Sequence, residues 1–117
     1  MKYSYHIDYN EFGSAIMQLP KEIEHVTIFL LCDVMRPIEG YYISALDDVL
    51  QNKLPYQEAG GNVYRLEIRK DFTRVIDTLA EDETENSCVI ETSELREIIG
   101  IWCRVLEEPA KPPMIPA

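Results

Sequence analysis

The sequence lacks the features that mark secreted and membrane-spanning proteins. Its longest apolar run, at about 28–32, is far too short to cross a bilayer. The N-terminal segment MKYSYHIDYNEF contains no apolar stretch of the kind found in a signal peptide. We therefore predict a cytoplasmic, reduced protein.

The sequence also has few of the residues that form metal and catalytic sites. Its three cysteines, Cys32, Cys88 and Cys103, make no CxxC pair, which argues against a disulfide framework and a structural zinc site. The two histidines, His6 and His25, have no second ligand at helical or strand spacing. No P-loop, GxSxG, GxGxxG or HExxH motif occurs. These absences predict a protein without a cofactor or bound metal, and not an enzyme.

Basic residues are scarce relative to acidic ones. Eleven lysines and arginines stand against 21 aspartates and glutamates, which gives a net charge of −10. Because nucleic acids and anionic membranes are themselves negative, we predict that the protein binds neither. This charge favours a basic partner, although acidity alone also serves solubility.

The acidic residues are concentrated in one part of the chain. Residues 77–97 hold eight acids and one arginine, a net charge of −7. The preceding residues 65–74 hold four bases and two acids, a net charge of +2. A concentrated field of one sign speeds encounter with a surface of the opposite sign, which solubility does not require.

Much of this charge lies in AEDETENSCVIETSELREIIGIW, residues 80–102. A calcium loop requires a glycine at its sharp turn, and a di-metal carboxylate site requires Glu-x-x-His pairs; the run has neither. A catalytic carboxylate pair has no supporting motif. A solvated loop and a surface for a basic partner both remain open. The candidate partner-binding residues are Glu81, Asp82, Glu83, Glu85, Glu91 and Glu94.

An aromatic interface is the alternative to the acidic one. The sequence contains seven tyrosines, and Tyr41, Tyr42 and Tyr56 lie near predicted loops. Tyrosine is enriched at protein interfaces, so these three side chains are also candidates for contact with a partner.

Periodicity predicts the elements of the first half of the chain. Alternating tyrosines at 3–9 indicate a half-buried strand, and residues 10–19 fit a short helical turn capped by asparagine. The continuous apolar run HVTIFLLC at 25–32 predicts a central strand buried on both faces. A short helix is predicted at about 44–52, followed by a loop with proline and paired glycines at 53–62.

The second half has the stronger patterns. Period-two alternation after Asn62 predicts a strand, and 72–79 fits either a helix or, as we favour, the second strand of a hairpin. Another strand is predicted at 88–91, after which Thr92 or Ser93 is expected to cap the last helix. That helix has an apolar stripe at i, i+3, i+4 and i+7 spacing, made of Leu95, Ile98, Ile99, Trp102 and Leu106.

Together these elements predict the α+β class. We expect an antiparallel or mixed sheet of about four to five strands, with helices packed against it and a C-terminal amphipathic helix. A length of 117 residues fits one domain, which we place at 1–108, with an exposed proline-rich tail at 109–117.

The order of several segments resembles a known group of proteins. DDVLQNK, GGNVYRLEIRKDFT, an acidic spacer and CVIETSELREIIGIW follow one another over 47–102. This arrangement is similar to small bacterial immunity proteins of polymorphic toxin systems, of the contact-dependent inhibition type. The resemblance implies a protein that neutralises a secreted toxin domain, often a nuclease, by binding it.

The resemblance agrees with the charge of the chain, because a nuclease that holds phosphates has a basic cleft. An acidic protein of this size can fill such a cleft without catalysing a reaction. The alternative hypothesis is an acidic interaction or regulatory module for another basic partner. The resemblance supplies no motif with a fixed role, so it assigns no contact residue.

Overall fold

The part of the chain that the structure describes folds into two antiparallel sheets and three α-helices. This computed structural model describes residues 1–35 and 38–108. The elements are β1 (His6–Tyr9), β2 (Ala15–Gln18), a 3-10 turn (Lys21–Ile23), α1 (Glu24–Asp33), α2 (Glu39–Leu50), β3 (Tyr56–Gly60), β4 (Tyr64–Arg69), β5 (Phe72–Asp77), β6 (Ser87–Glu91) and α3 (Thr92–Glu107). The predicted α+β class is confirmed. The predicted tail at 109–117 lies outside the described residues.

The larger sheet has the strand order β3-β4-β5-β6, with every neighbouring pair antiparallel. In β4 the side chains of Tyr64, Leu66 and Ile68 are buried, and Arg65 and Glu67 between them point to the opposite face. This alternation is the one that the sequence predicted. The strand alternative for 72–79 is also correct, because β5 occupies most of that segment.

The inner face of the sheet packs against the helices. Helix α3 buries four of the five residues of the predicted stripe in the core shared with the sheet and the other helices, namely Leu95, Ile98, Ile99 and Trp102, and Leu106 is partly buried against that core. The indole nitrogen of Trp102 donates a hydrogen bond of 2.9 Å to the main-chain oxygen of Val34, so the end of α3 is joined to the residue after α1.

The predicted helical turn at 10–19 is wrong. Asn10 does cap a turn, but its side-chain oxygen accepts the N–H groups of Phe12 and Ser14, and Gly13 adopts a φ of 82°. This geometry reverses the chain, and the residues that follow form β2, which pairs with β1. A positive φ is unfavourable within a right-handed helix, so the glycine directs the segment to a hairpin.

The predicted central strand at 25–32 is also wrong, because this segment forms α1. One face of the helix buries Val26, Phe29 and Leu30 in the core, while Ile28 and Leu31 lie on the exposed side. A helix with apolar residues on all sides shows no helical periodicity in its sequence. The uninterrupted apolar run therefore had the pattern of a buried strand.

Three boundaries differ from the predicted ones. Helix α2 begins several residues before 44, and β3 lies within the predicted loop at 53–62. Neither Thr92 nor Ser93 caps α3: the N-cap position is Glu91, whose side chain makes no capping hydrogen bond to the helix. The Thr92 hydroxyl is instead buried beside the Thr73 hydroxyl, 2.8 Å away, and donates to the main-chain oxygen of Arg69.

A buried carboxylate joins α1 to the turn between β3 and β4. Asp33, at the last position of α1, is completely buried. Its carboxylate accepts the N–H groups of Asn62 at 2.9 Å, Val63 at 3.1 Å and Tyr64 at 2.8 Å. These three hydrogen bonds fix the β3–β4 turn against the helix and compensate for burying the carboxylate.

Candidate functional site

The clustered acidic residues lie mainly in the loop that joins β5 to β6, residues 78–86, which we call the acidic loop. Its base is closed by a hydrogen bond of 2.9 Å from the N–H of Asp77 to the main-chain oxygen of Asn86. The N–H and hydroxyl of Thr78 both donate to the main-chain oxygen of Val63, at 2.9 and 2.7 Å. The loop is therefore attached to the same β3–β4 turn that Asp33 holds.

Asp82 gives the acidic loop its shape. Its carboxylate accepts the N–H groups of Thr84 at 2.9 Å and Glu85 at 3.2 Å. Its main-chain oxygen accepts the side-chain amide of Asn86 at 2.8 Å. A carboxylate that bonds N–H groups two and three residues ahead stabilises a turn. Asp82 thus adds negative charge and also orders the segment.

Glu83 is paired with the basic residues that precede it in sequence. Its carboxylate lies 2.9 Å from the guanidinium of Arg65 and raises the pKa of that group. Arg74 donates to the main-chain oxygen of Glu83 at 3.4 Å and lies 3.8 Å from Glu67. Two of the four basic residues of segment 65–74, Arg65 and Arg74, therefore contact the acidic loop, and Arg65 neutralises part of its charge.

Glu91 and Glu94 contact the N-terminal segment of the chain. The Glu91 carboxylate binds the ammonium group of Lys2 and the hydroxyl of Tyr3, each at 2.6 Å. The Glu94 carboxylate accepts the main-chain N–H of Lys2 at 3.1 Å. Both acids therefore hold the N-terminus against the start of α3.

The six candidate acids form two groups instead of one cluster. Glu81, Asp82, Glu83 and Glu85 belong to the acidic loop, whereas Glu91 is the last residue of β6 and Glu94 lies in the first turn of α3. At about 3.4 Å per residue, the five-residue strand between the two groups spans roughly 14 Å from Ser87 to Glu91. The structure gives the Glu81 and Glu85 carboxylates no hydrogen bond or ion pair to any residue it describes, and both side chains are exposed.

The charge pattern of the sequence predicted the acidic loop but not its internal partners. The +2 segment at 65–74 was visible in the sequence, yet the contacts of Arg65 and Arg74 with Glu83 depend on the pairing of β4 with β5. Lys2 and Tyr3 are 89 and 88 residues from Glu91, and nothing in the sequence marked them as its partners.

The lowered pKa of Glu91 provides a test of its contacts with Lys2 and Tyr3. The hydrogen bond from Lys2, followed by that from Tyr3, lowers the pKa of Glu91 from 4.5 to about 2. As pH falls, the unfolded chain binds the proton first, so the stabilisation is complete above pH 4.5 and is lost as pH approaches 2. Urea unfolding of wild type and Glu91→Gln should show a stability difference that is smaller at pH 3 than at pH 7.

The variant Glu107→Gln, which removes an exposed carboxylate at the end of α3, is the control. A difference between wild type and Glu91→Gln that is equal at the two pH values would contradict this role of Glu91.

Three observations on the described residues concern metal ligands, the Cys88 thiol and membrane-spanning helices. Within residues 1–35 and 38–108, no three His, Cys, Asp or Glu side chains are grouped so that they could hold a metal ion. Burial raises the pKa of the Cys88 thiol to about 11, so the thiolate is scarce at neutral pH. Among the helices in the described ranges, none combines the length and apolar character needed to cross a membrane.

Comparison with known proteins identifies the family. The chain is 40% identical over 102 residues to a Bacillus cereus protein described as an immunity protein. The match covers 87% of this chain and 86% of the relative. The chain belongs to the immunity proteins. The predicted immunity-protein identity is therefore confirmed, whereas the polymorphic-toxin, contact-dependent inhibition type stays a prediction.

No protein-family model matches this immunity protein, and no solved structure matches it. The shared length of 102 residues is greater than the segment 47–102 on which the resemblance rested. The relationship therefore extends to elements outside that segment, in the first half of the immunity protein.

Proposed function

We propose that the protein binds a cognate secreted toxin domain in the cytoplasm, one to one, and blocks it by occlusion. The toxin domain is basic and is most simply a nuclease, because a cleft that binds phosphates carries positive charge. The protein acts by binding and not by catalysis. Membership of the immunity proteins, together with a net charge of −10, carries this proposal.

The acidic loop is the proposed charged surface for the toxin. The exposed carboxylates of Glu81 and Glu85 can pair with toxin lysines or arginines without breaking a contact to another described residue. Asp82 and Glu83 add to the same field while they order the loop. Exposed charge of this kind mainly raises the association rate and rejects partners of the wrong sign.

Glu91 and Glu94 are the proposed second part of the acidic surface. Each already binds Lys2, so a toxin cation there would compete with the N-terminal segment of the chain. For this reason we assign the first electrostatic contact to the loop. The pair lies roughly one strand length away, at the other end of β6.

The test uses the toxin domain encoded beside this protein. Cells that express the toxin domain should survive when this protein is co-expressed and die when it is absent. With an inactivated toxin domain, the variant Glu81→Gln/Glu85→Gln should associate about 10-fold more slowly at low ionic strength, and the deficit should shrink as salt is added. Stopped-flow measurement gives these rates.

The control variant removes two carboxylates that lie outside the acidic loop. Glu11 and Glu22 are exposed, and Glu11→Gln/Glu22→Gln should slow association much less. If cells that express the toxin domain die although they contain abundant folded copies of this protein, the proposed function is wrong. Equal rates for the two double variants would remove the loop from the interface. Capture of a basic protein unrelated to a toxin would favour the regulatory alternative.

A further inference from the structure

An apolar strip crosses the surface from α1 to the start of α2. Its members are large hydrophobic side chains that each expose between 41% and 51% of their surface: Ile28, Leu31, Met35, Ile38 and Tyr41. We call this set the α1 stripe. Ile28 and Leu31 are three residues apart and share one face of α1. The N–H of Ile38 donates to the main-chain oxygen of Met35 at 2.8 Å, so the two halves of the stripe adjoin.

The exposed face of α1 has no counterpart in an ordinary surface helix. Such a helix carries polar residues opposite its buried face, but on α1 this face has Glu24 in the first turn and then Ile28 and Leu31. Its sequence EHVTIFLLCD contains no lysine or arginine whose stem could cover this surface. A helix that is apolar on all sides is typical of a position covered on all sides, and contiguous exposed apolar surface is typical of interfaces.

The stripe ends in an aromatic side chain that is held in place. The Tyr41 ring is half exposed and packs edge-on against the buried Tyr42 ring, with 5.0 Å between the ring centroids. Tyrosine and methionine are both enriched at the centres of protein interfaces. Of the three tyrosines predicted as partner contacts, Tyr42 is buried, and Tyr41 is the most exposed.

Helix α1 and the acidic loop are attached to the same end of the sheet. Asp33 at the end of α1 binds the N–H of Val63, and the main-chain oxygen of Val63 accepts both Thr78 hydrogen bonds at the base of the loop. Near the start of α1, His25 Nδ1 lies 2.8 Å from the hydroxyl of Tyr64, the residue paired with Asp77 in the sheet.

The charge of the molecule argues against a second copy as the occupant of the stripe. Two copies would bring −20 together, and the acidic loop at this end of the sheet adds to the repulsion. A partner of positive charge gains from the same field. An interface with an apolar centre and a charged rim is the usual arrangement in protein complexes.

Resting on the function proposed above, we infer that the α1 stripe is the apolar centre of the toxin interface. The acidic loop supplies the charged edge of that interface. The stripe determines how long the complex lasts, because buried apolar contacts act mainly on dissociation, and the loop determines how fast the complex forms.

The experiment measures how two double variants bind the inactivated toxin domain. One is Glu81→Gln/Glu85→Gln in the acidic loop, and the other is Ile28→Gln/Leu31→Gln in the α1 stripe. Ile28→Gln/Leu31→Gln keeps residues that favour a helix and removes apolar surface from the stripe. We expect its affinity to fall by about 30-fold or more, mainly through faster dissociation, with little change in association rate. The control variant Phe12→Gln removes an exposed apolar side chain from the β1–β2 turn and should bind like wild type.

The outcomes distinguish the stripe inference, the proposed function and a dimer formed through the stripe. Unchanged unfolding midpoints show that the stripe variant is folded, and Tyr41→Gln provides a second test at the other end of the stripe. Wild-type affinity in both stripe variants, while wild type binds the toxin, overturns this inference and leaves the proposed function intact. Absence of toxin binding by wild type overturns both. A wild-type dimer that dissociates on Ile28→Gln/Leu31→Gln would assign the stripe to a second copy and also overturn the inference.

Discussion

Replacing Asp33 with alanine is expected to lower the free energy of unfolding by about 2–6 kcal/mol, because the buried Tyr64 donor left without a partner costs about 1–3 kcal/mol and each of the two part-buried hydrogen bonds contributes about 0.5–1.5 kcal/mol. The substitution would leave the N–H groups of Asn62, Val63 and Tyr64 without their acceptor. The single tryptophan, Trp102, is nearly completely buried, so its fluorescence reports unfolding in urea.

The matched control for this prediction is Asp48→Ala. Asp48 lies near the end of α2, where its only ion pair among the described residues is a 4.0 Å contact with Lys53. Its removal should change the free energy of unfolding by less than about 0.5 kcal/mol. Asp33→Asn retains one acceptor oxygen and should fall between wild type and alanine. A loss below about 1 kcal/mol for Asp33→Ala, the scale of one ordinary hydrogen bond, would contradict the assigned role.

Replacing Gly61 with alanine is expected to lower the free energy of unfolding by about 2–3 kcal/mol, the upper part of the about 1–3 kcal/mol that overpacking usually costs. A β-carbon at Gly61 would lie 2.6 Å from Cγ and 2.7 Å from Oδ2 of Asp33, and would also overlap the Tyr42 hydroxyl. Asp33 and Tyr42 are both buried, so neither side chain can move aside into solvent. Urea unfolding measures this loss.

The neighbouring glycine is the control. A β-carbon at Gly60 would meet no atom within 4 Å, and neither glycine has a positive φ. Gly60→Ala should therefore leave the free energy of unfolding unchanged or raise it by about 0.5 kcal/mol, because alanine costs less conformational entropy in a strand. Equal losses at the two positions would point to the backbone instead of the space around Asp33.

The secondary structure was predicted correctly from the sequence for elements that bury one face and expose the other. The stripe of α3 and the alternation of β4 follow directly from which side of each element meets the core. The same reasoning failed for α1, which is apolar on its exposed side as well. It also failed for β3, where Pro55, Gly60 and Gly61 indicated a loop, although pairing with β4 makes this segment a strand.

The candidate surface was predictable only in part, for a related reason. Local charge density marked the acidic loop, because its acids are close in sequence. The contacts that occupy Glu83 and Glu91 come from Arg65 and from the N-terminus, which only the tertiary fold brings near. The α1 stripe was hidden because the segment had the pattern of an interior strand. The signal for the stripe is an apolar run that forms a helix and has few polar residues to place on its exposed side.

Different side chains of the acidic loop order its turn and carry its exposed charge. This separation affects how the sequence can change in evolution. Asp82 and Asn86 hold the turn, and Arg65 fixes Glu83, whereas the Glu81 and Glu85 side chains take no part in these bonds. Substitutions at the latter two positions leave the shape of the loop intact. Under the function proposed above, a lineage that must follow a changing toxin would therefore be able to alter its recognition at these two positions while its folding remains the same.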